Sequence, residues 1–259
     1  MQPPAHLYLF PEHIVWASAG FAGGTTQRPA PALLLGAWGA LGLHQPGAEP
    51  LSARGFVLPP LFQRAVDAQG SGFISLNPDP ASASGRQLMA WAAGQARSLD
   101  EGRVQPALEA ARTLIEQSLP GAEAWARSEA ILQALLPASE LPPLDPRIVE
   151  VVGRLRAELP VRPDLSGLAA GVGLSAGRLS HLFRAQLGIP MRSYLLWLKM
   201  HRAAALFARD WTITAVAAEI GFADAAHLNR VFRRFFSVQP SWLADATQVR
   251  VYDGLGHSH

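Results

Sequence analysis

The chain has 259 residues, of which 49% are apolar and 16% charged, and it contains no cysteine. This length suits one large domain or two ordinary ones, and the apolar content is sufficient for a buried core. Without cysteine, disulfide frameworks, thiolate metal sites and cysteine nucleophiles are excluded.

Charge is distributed unevenly along the chain, although the total is only +2. Residues 1–145 carry 8 arginines and no lysine against 12 acidic residues, which gives a net charge of −4. Residues 146–259 carry 13 arginines and 1 lysine against 8 acidic residues, which gives +6. This asymmetry favours a basic half that binds a polyanion, with an ordinary fluctuation of charge between domains as the alternative.

Membrane and export signals are not expected. The longest nearly uninterrupted apolar run, residues 32–43, has 12 residues and includes three glycines, whereas a membrane span needs ~20. Residues 1–10 carry no basic residue before their apolar stretch, unlike a secretory signal. We therefore expect a cytoplasmic protein.

Short apolar segments separated by turn residues make up the first part of the chain. These segments are residues 6–10, 13–17, 32–38, 40–43, 55–58 and 72–76. Between them stand Gly-Gly, Gln-Pro-Gly, Pro-Pro and Asn-Pro-Asp-Pro sequences, which are typical of turns. The pattern predicts a small antiparallel β sandwich or barrel that extends to about residue 78.

Helical spacing follows, because apolar residues now recur at intervals of three and four. The predicted helices cover residues 84–96, 104–117 and 122–136. Pro137 stops the last of them, and the proline-rich residues 141–146 cannot continue a helix. A domain junction is therefore predicted there.

The predicted fold class is α+β. We expect a β domain over residues 1–98, a helical segment over residues 99–140, and an all-α domain over residues 146–250. Any site in the β domain is expected to be an apolar pocket, because small barrels can enclose one ligand. His6, His13 and His44 show no metal-ligand spacing such as His-x-His, so no metal, cofactor or catalytic residue is predicted.

The C-terminal half contains an internal repeat. Residues 168–175 align with residues 216–223 at an offset of 48, and residues 179–184 align with residues 228–233 at an offset of 49. Each unit is predicted to be a short helix, a turn that contains Gly173 or Gly221, and a second helix. The first and second helices cover residues 164–171 and 175–186 in one unit, and 212–220 and 224–236 in the other.

Helix-capping residues stand at the start of all four helices. Asp164 and Ser175 serve the first unit, and Thr212 and Asp224 serve the second. Two helices joined by a short turn with glycine form a helix-turn-helix, whose second helix can lie in the major groove of DNA. A predicted helix over residues 190–207 connects the units; its length of ~27 Å approaches the ~34 Å between successive major-groove faces.

The second helix of each unit has an apolar stripe and a polar face. The polar faces carry small, hydrogen-bonding and cationic residues, which suit base edges and phosphates. They comprise Gly177, Arg178, Ser180, His181 and Arg184 in the first unit, and Ala225, Ala226, Asn229, Arg230, Arg233 and Arg234 in the second. Of these, Arg178, Arg184, Arg233 and Arg234 are expected to contact phosphates. An ordinary solvated helix face is the alternative for any one residue alone.

Residues 147–246 resemble the tandem helix-turn-helix domain of the AraC/XylS family of transcriptional regulators. The resemblance rests on matched motifs in both units, among them residues 179–184, 220–222, 230–235 and 240–243. It implies sequence-specific binding to two successive major grooves of double-stranded DNA. It also implies base contacts by Gly177, Ser180 and His181 in the first unit, and by Ala225, Ala226, Asn229 and Arg230 in the second.

Three residues depart from the family pattern. Gly177 stands where a larger side chain is common, Ser237 replaces a frequent glycine after the second reading helix, and Trp242 replaces a frequent tyrosine. With fewer contacts available in the first unit, Asn229 and Arg230 are expected to dominate specificity.

The N-terminal half more faintly resembles the degenerate, cupin-like barrel of such regulators. That resemblance implies a small-molecule effector and dimerisation through this half, and hence a homodimer. Residues 99–140 are expected to serve as a helical linker or dimerisation segment, and contact with RNA polymerase is expected if the protein is an activator.

Two other classes of protein are alternatives to this interpretation. Residues 173–177 satisfy the G-x-S-x-G pattern of a serine hydrolase, but their surroundings favour a helix cap at Ser175. A protein-interaction module with a basic helical domain is the second alternative. It would not require two matched reading helices.

Overall fold

The computed structural model describes residues 3–138, 141–253 and 257–258. Its N-terminal part is rich in strands: β1 Ala5–Leu9, β2 His13–Ser18, β3 Ala32–Gly36, β4 Leu41–His44, β5 Leu51–Ala53, β6 Gly55–Leu58, β7 Ala65–Asp67, β8 Phe73–Pro78 and β9 Arg97–Leu99. The six apolar segments predicted as strands are all strands. β5, β7 and β9 are additional; each has only three residues, too few for an alternating pattern to be recognised.

Two sheets form from these strands and from two C-terminal ones, β10 Val249–Asp253 and β11 His257–Ser258. The larger sheet has the order β11-β10-β1-β2-β8-β3-β6-β9, and the smaller one has the order β5-β4-β7. β10 runs parallel to β1, with Leu7 opposite Val251, whereas the other described pairs are antiparallel. The chain therefore returns to its first sheet after the helical domain.

Helices cover one face of the larger sheet. They are α1 Ala83–Ala92, α2 Glu101–Val104, α3 Leu108–Glu116 and α4 Gly121–Leu135, with a 3₁₀ turn at Gln105–Ala107. Alternate strand residues such as Tyr8, Leu33 and Leu76 join these helices in one hydrophobic cluster. The intervening residues, such as Leu7 and Leu34, belong to a second cluster on the opposite face.

The C-terminal part is built from α5 Pro146–Glu158, α6 Leu165–Gly171, α7 Ala176–Leu187, α8 Met191–Phe207, α9 Ile213–Glu219, α10 Ala225–Phe236 and α11 Pro240–Leu243. These helices confirm both predicted helix-turn-helix units and the connecting helix. Their core, including Phe183, Trp197 and Phe232, belongs to the same hydrophobic cluster as the second sheet face. The α+β class and the two-part architecture are confirmed.

Candidate nucleic-acid interface

Both helix-turn-helix units use the predicted caps. Asp164 Oδ1 accepts from the backbone N of Gly167 at 3.1 Å, and Asp224 Oδ1 accepts from His227 N at 2.6 Å. The hydroxyls of Ser175 and Thr212 cap α7 and α9 in the same way. Each cap satisfies a backbone donor that the first helical turn leaves free, so the four helix starts are fixed by local sequence.

The turn glycines adopt the left-handed conformation that their position requires. Gly173 has φ +68° and Gly221 has φ +70°. A Cβ would be strained at either position, and at Gly221 it would also meet Val161 Cγ2 at 2.6 Å. The turn geometry of the two units is thus the same.

The second helices of the two units, α7 and α10, are the reading helices, and they bury equivalent stripes of apolar residues. Leu179, Phe183 and Leu187 are fully buried on α7, and Leu228 and Phe232 occupy the same places on α10, 49 residues later. The buried stripe fixes which residues remain on the outer face. That face is the candidate DNA-reading surface.

Four of the seven residues predicted to contact bases lie on this exposed face. They form two equivalent pairs, Gly177 with Ala226 and His181 with Arg230. The other three, Ser180, Ala225 and Asn229, are half-buried on the flank of the helix. Asn229 Oδ1 is buried and has no hydrogen-bond partner in the described structure, which leaves an acceptor whose desolvation is uncompensated.

The predicted phosphate contacts form a band of exposed cations. Arg178, Arg184 and Arg233 are exposed, and within the described ranges none has a carboxylate within 4.0 Å. Unpaired guanidinium groups retain their full charge for a polyanion. The first reading helix therefore contributes two such cations to the face, and the second contributes Arg233 beside Arg230.

One surface residue was missed by sequence reasoning. His227 is exposed on α10 at the position that Arg178 occupies on α7, and its ring contacts Phe222 at a centroid distance of 5.1 Å. The offset of 49 residues already pairs these two positions. The same offset, applied to Arg178 as well as to the motif residues, identifies His227 as a candidate contact.

The C-terminal end of α10 is attached to the N-terminal domain. Gln27 Oε1 accepts from Arg234 Nη2, and Gln27 N donates to the Arg234 carbonyl at 3.0 Å. Ser237, the residue that replaces the usual glycine, has φ +67° and donates from its hydroxyl to the carbonyl of Gly24 at 3.0 Å. Arg234 is thus held by Gln27, whereas no described side chain restrains Arg178, Arg184 or Arg233 in this way.

A buried arginine extends this attachment into the sheet. Arg28 Nε donates to the Phe235 carbonyl at 2.6 Å, and its Nη1 donates to Ser75 Oγ at 3.1 Å and Asn77 Oδ1 at 2.9 Å. Burial lowers the pKa of the Arg28 guanidinium, and no carboxylate within the described ranges lies within 4.0 Å of it. All of its hydrogen-bond partners are neutral oxygens, and its guanidinium carbon lies 5.8 Å from the centre of the Phe235 ring.

A second polar cluster joins the N-terminal domain to α5 and α8. Asp79 is 1% exposed, and its Oδ2 accepts from Arg156 Nη2 at 2.9 Å and from the Tyr194 hydroxyl at 3.1 Å. Burial, reinforced by the Asp79 carboxylate, raises the pKa of Tyr194, so the phenol remains a donor. The two helix-turn-helix units are therefore anchored differently: the second through its reading helix, the first through helices behind it.

The surroundings of the hydrolase-like motif are helical. Ser175 follows α6 and caps α7, with its Oγ 3.4 Å from Arg178 N. A nucleophile elbow requires a strand at the position that α6 occupies. Among the described residues no group of three or more His, Asp or Glu side chains is arranged to hold a metal ion, and no described helix is long and apolar enough to cross a membrane.

Residues 168–245 match the family model described as a helix-turn-helix domain. The chain is 33% identical over 155 residues to the arabinose operon regulatory protein of Escherichia coli, a match that covers 59% of this chain and 49% of that protein. It is 31% identical over 96 residues to the transcriptional regulator GbdR of Pseudomonas aeruginosa, covering 37% and 26%. The matched part thus spans about half, or less, of these curated relatives.

The fold as a whole is similar to that of ToxT from Vibrio cholerae. The apo form aligns with a TM-score of 0.56 at 10% identity, covering 90% of this chain and 96% of that one. A second ToxT structure, described as bound to (E)-4-(8-methylnaphthalen-1-yl)but-3-enoic acid, aligns with a TM-score of 0.51 at 8% identity and covers 93% and 97%. At such identities the likeness shows the two-domain fold.

Proposed function

We propose that this chain is a sequence-specific DNA-binding transcriptional regulator of the AraC type, because residues 168–245 match the helix-turn-helix domain model and the chain is similar to the arabinose operon regulatory protein. The observation that carries this proposal is the duplicated reading helix: two capped, 12-residue helices expose equivalent residues at an offset of 49. A basic protein-interaction surface would not require that equivalence.

The reading helices divide into base and phosphate contacts. Arg230 is long enough to pair with guanine O6 and N7, and Asn229 can pair with adenine if its half-buried amide turns toward the groove. Gly177, Ser180, His181, Ala225 and Ala226 supply the small or hydrogen-bonding surface around them. Arg178, Arg184, Arg233 and, once released from Gln27, Arg234 neutralise phosphates.

One chain is proposed to bind two successive major grooves. The connecting helix α8 has 17 residues and so a length of about 26 Å. This rigid spacer, plus the width of the two units that flank it, suits the ~34 Å between groove faces. A homodimer through residues 99–140 would extend the operator to two such half-sites.

The N-terminal domain is proposed to sense an organic anion as the effector. Arg28 is a buried cation with neutral partners, and it lies where the sheet meets α10. The cavity at Arg28 holds only about 10 Å³, so a carboxylate would supply the missing counter-charge by displacing Ser75 or Asn77 from Nη1. ToxT, with the same fold, has been obtained with a butenoic acid bound, and a ligand at Arg28 would alter the hydrogen bond to the Phe235 carbonyl. Contact with RNA polymerase is proposed for the case of an activator, and no catalytic role is assigned.

In-vitro selection from randomised duplexes with the full-length protein tests this function. We expect enrichment of a motif with two conserved blocks about one helical turn apart. If no duplex sequence were enriched, and if the protein bound an acidic protein as tightly as it bound any duplex, the result would support a protein-interaction module instead.

A further inference from the structure

An apolar groove of about 680 Å³ lies between the connecting helix α8 and the second helix-turn-helix unit. The loop before α6, the first half of α8, the turn before α10 and the side of α10 that carries His227 and Val231 form its walls. The apolar residues of these walls include Val161, Pro163, Leu195, Leu196, Phe222 and Val231. Its volume falls within the ~300–1,000 Å³ typical of small-molecule sites.

Lys199 gives this groove a buried positive charge. The residue is 5% exposed, its Nζ donates to the Val161 carbonyl at 3.0 Å, and the same atom lies 5.8 Å from the centre of the Phe222 ring. Burial lowers the pKa of Lys199. Within the described ranges no carboxylate lies within 4.0 Å of Nζ, so the ammonium group has only a carbonyl and a ring face as partners.

The rim adds charge of the same sign. Arg162 and Arg192 are exposed at the groove, neither has a carboxylate partner among the described residues, and no acidic side chain is among the lining residues. An apolar trough with three cations and no anion complements a molecule that is apolar at one end and anionic at the other. A DNA phosphate suits the rim but not Lys199, because a phosphate on a duplex cannot enter an apolar groove to reach a buried ammonium group.

We propose that this groove binds an amphipathic organic anion, with its apolar part against Phe222 and its acidic group at Lys199. The site is separate from Arg28 and from the face of α10 that carries Ala226 and Arg230, and it borders that reading helix at His227. Since its walls come from the loop before α6, from α8 and from the second helix-turn-helix unit, an occupant would contact all three at once. The proposal concerns a second ligand site and does not depend on which operator the protein reads.

Two fluorescent probes with a common skeleton test the site in the full-length protein. 8-Anilinonaphthalene-1-sulfonate carries an anionic group, and N-phenyl-1-naphthylamine lacks it. Lys199→Met keeps the apolar stem and removes the charge. We expect this variant to bind the sulfonate probe about 10-fold more weakly, because the probe loses a charged hydrogen-bond partner. Its affinity for the uncharged naphthylamine probe should change by less than about 2-fold.

Further variants locate the probe and control for folding. Ala223→Trp, at the exposed end of the groove, should weaken both probes, and Arg192→Gln, which cannot disturb the core, should weaken the sulfonate about 2-fold. Arg97→Gln, an exposed cation on β9, is the matched control and should change neither.

Sulfonate binding that survives both Lys199→Met and Ala223→Trp would overturn the proposal. So would a loss of DNA affinity and salt dependence in Lys199→Met with unchanged sulfonate binding, because the groove would then serve DNA. The probe titrations contain no DNA, so a failure of the proposed regulatory function would leave their result unaffected.

Discussion

The two reading helices are equal in length and capping but differ in charge and attachment. α7 exposes Gly177 and His181, whereas α10 exposes Ala226 and Arg230 at the same places. α7 ends at Gly188 with φ +70°, and α10 ends at the equivalent Ser237 with φ +67°. The comparison shows that the second reading helix bonds directly to residues 24–28 of the N-terminal domain through its C-terminal end, and we propose that base specificity is also concentrated on this copy.

The largest expected effect tests the difference in base reading. Arg230→Ala should lower operator affinity about 10- to 100-fold, because one bidentate base contact contributes ~1–3 kcal/mol. His181→Ala at the equivalent position should lower it by less than about 10-fold. Gel-shift titrations of both variants at one fixed salt concentration check this, and equal losses would contradict the specialisation of α10.

A matched exchange at the helix ends tests the difference in attachment. Gly188→Ser should lower the free energy of unfolding by about 1 kcal/mol, because a side chain is strained at positive φ. Ser237→Gly relieves the same strain but loses the hydrogen bond to the Gly24 carbonyl, so a change of only about 0.5 kcal/mol or less is expected. Urea unfolding measures both; a stabilisation of about 1 kcal/mol in Ser237→Gly would show that the Gly24 bond contributes nothing.

The pH dependence of stability distinguishes the buried histidines of the N-terminal domain from the exposed histidine of the first reading helix. Burial lowers the pKa of His13 to about 3, and burial also lowers the pKa of His6. Their ordinary pKa of ~6.5 applies in the unfolded chain, which therefore binds more protons below that pH. The free energy of unfolding should therefore be highest above pH 6.5. It should decrease as the pH falls toward 4, by up to ~1.4 kcal/mol per pH unit for each such histidine.

Removal of one buried histidine provides the control for that titration. His13→Gln retains a polar side chain beside Ser128, whose Oγ lies 2.7 Å from His13 Nε2, and should make the acid-side slope shallower. His181→Gln, on the exposed face of α7, should leave it nearly unchanged. Identical slopes in all three proteins would refute the assignment to His13.

The smallest effect concerns the tether on Arg234. Each phosphate contact contributes about 0.9 to the slope of log affinity against log salt. Arg233→Ala should therefore reduce that slope by about 0.9, whereas Arg234→Ala should change it little while Gln27 holds the side chain. In a Gln27→Ala background, Arg234→Ala should reduce the salt slope by the full value of about 0.9. An equal effect in both backgrounds would show that Gln27 does not restrain Arg234.

Local patterns predicted most of the fold and the two reading units. Caps such as Asp164, turn glycines such as Gly173 and the apolar stripes are short-range features, so they are visible in the sequence. β10 was not predicted, because it is five residues long and pairs with β1 across nearly the whole chain. The bond from Arg28 to Phe235 spans 207 positions, and no local pattern encodes it.

The sequence predicted which types of residue lie on the reading helices more accurately than it predicted which of them are exposed. The repeat identified Asn229 and Ser180 as polar residues of the reading helices, but only the packing shows that both are half-buried. Arg234 has the composition of a phosphate contact, and only the three-dimensional structure places Gln27 beside it. Long-range packing therefore decides which residues of the polar face are free to bind.

Hydroxyl-radical footprinting of the full-length protein on a selected duplex tests the central claim most directly. If both reading helices enter successive major grooves, one bound chain should protect two segments on one face of the duplex, about 10 base pairs apart, and disruption of either unit by Leu179→Asp or Leu228→Asp should remove its own segment. A single protected segment that persists unchanged in both variants would contradict the account.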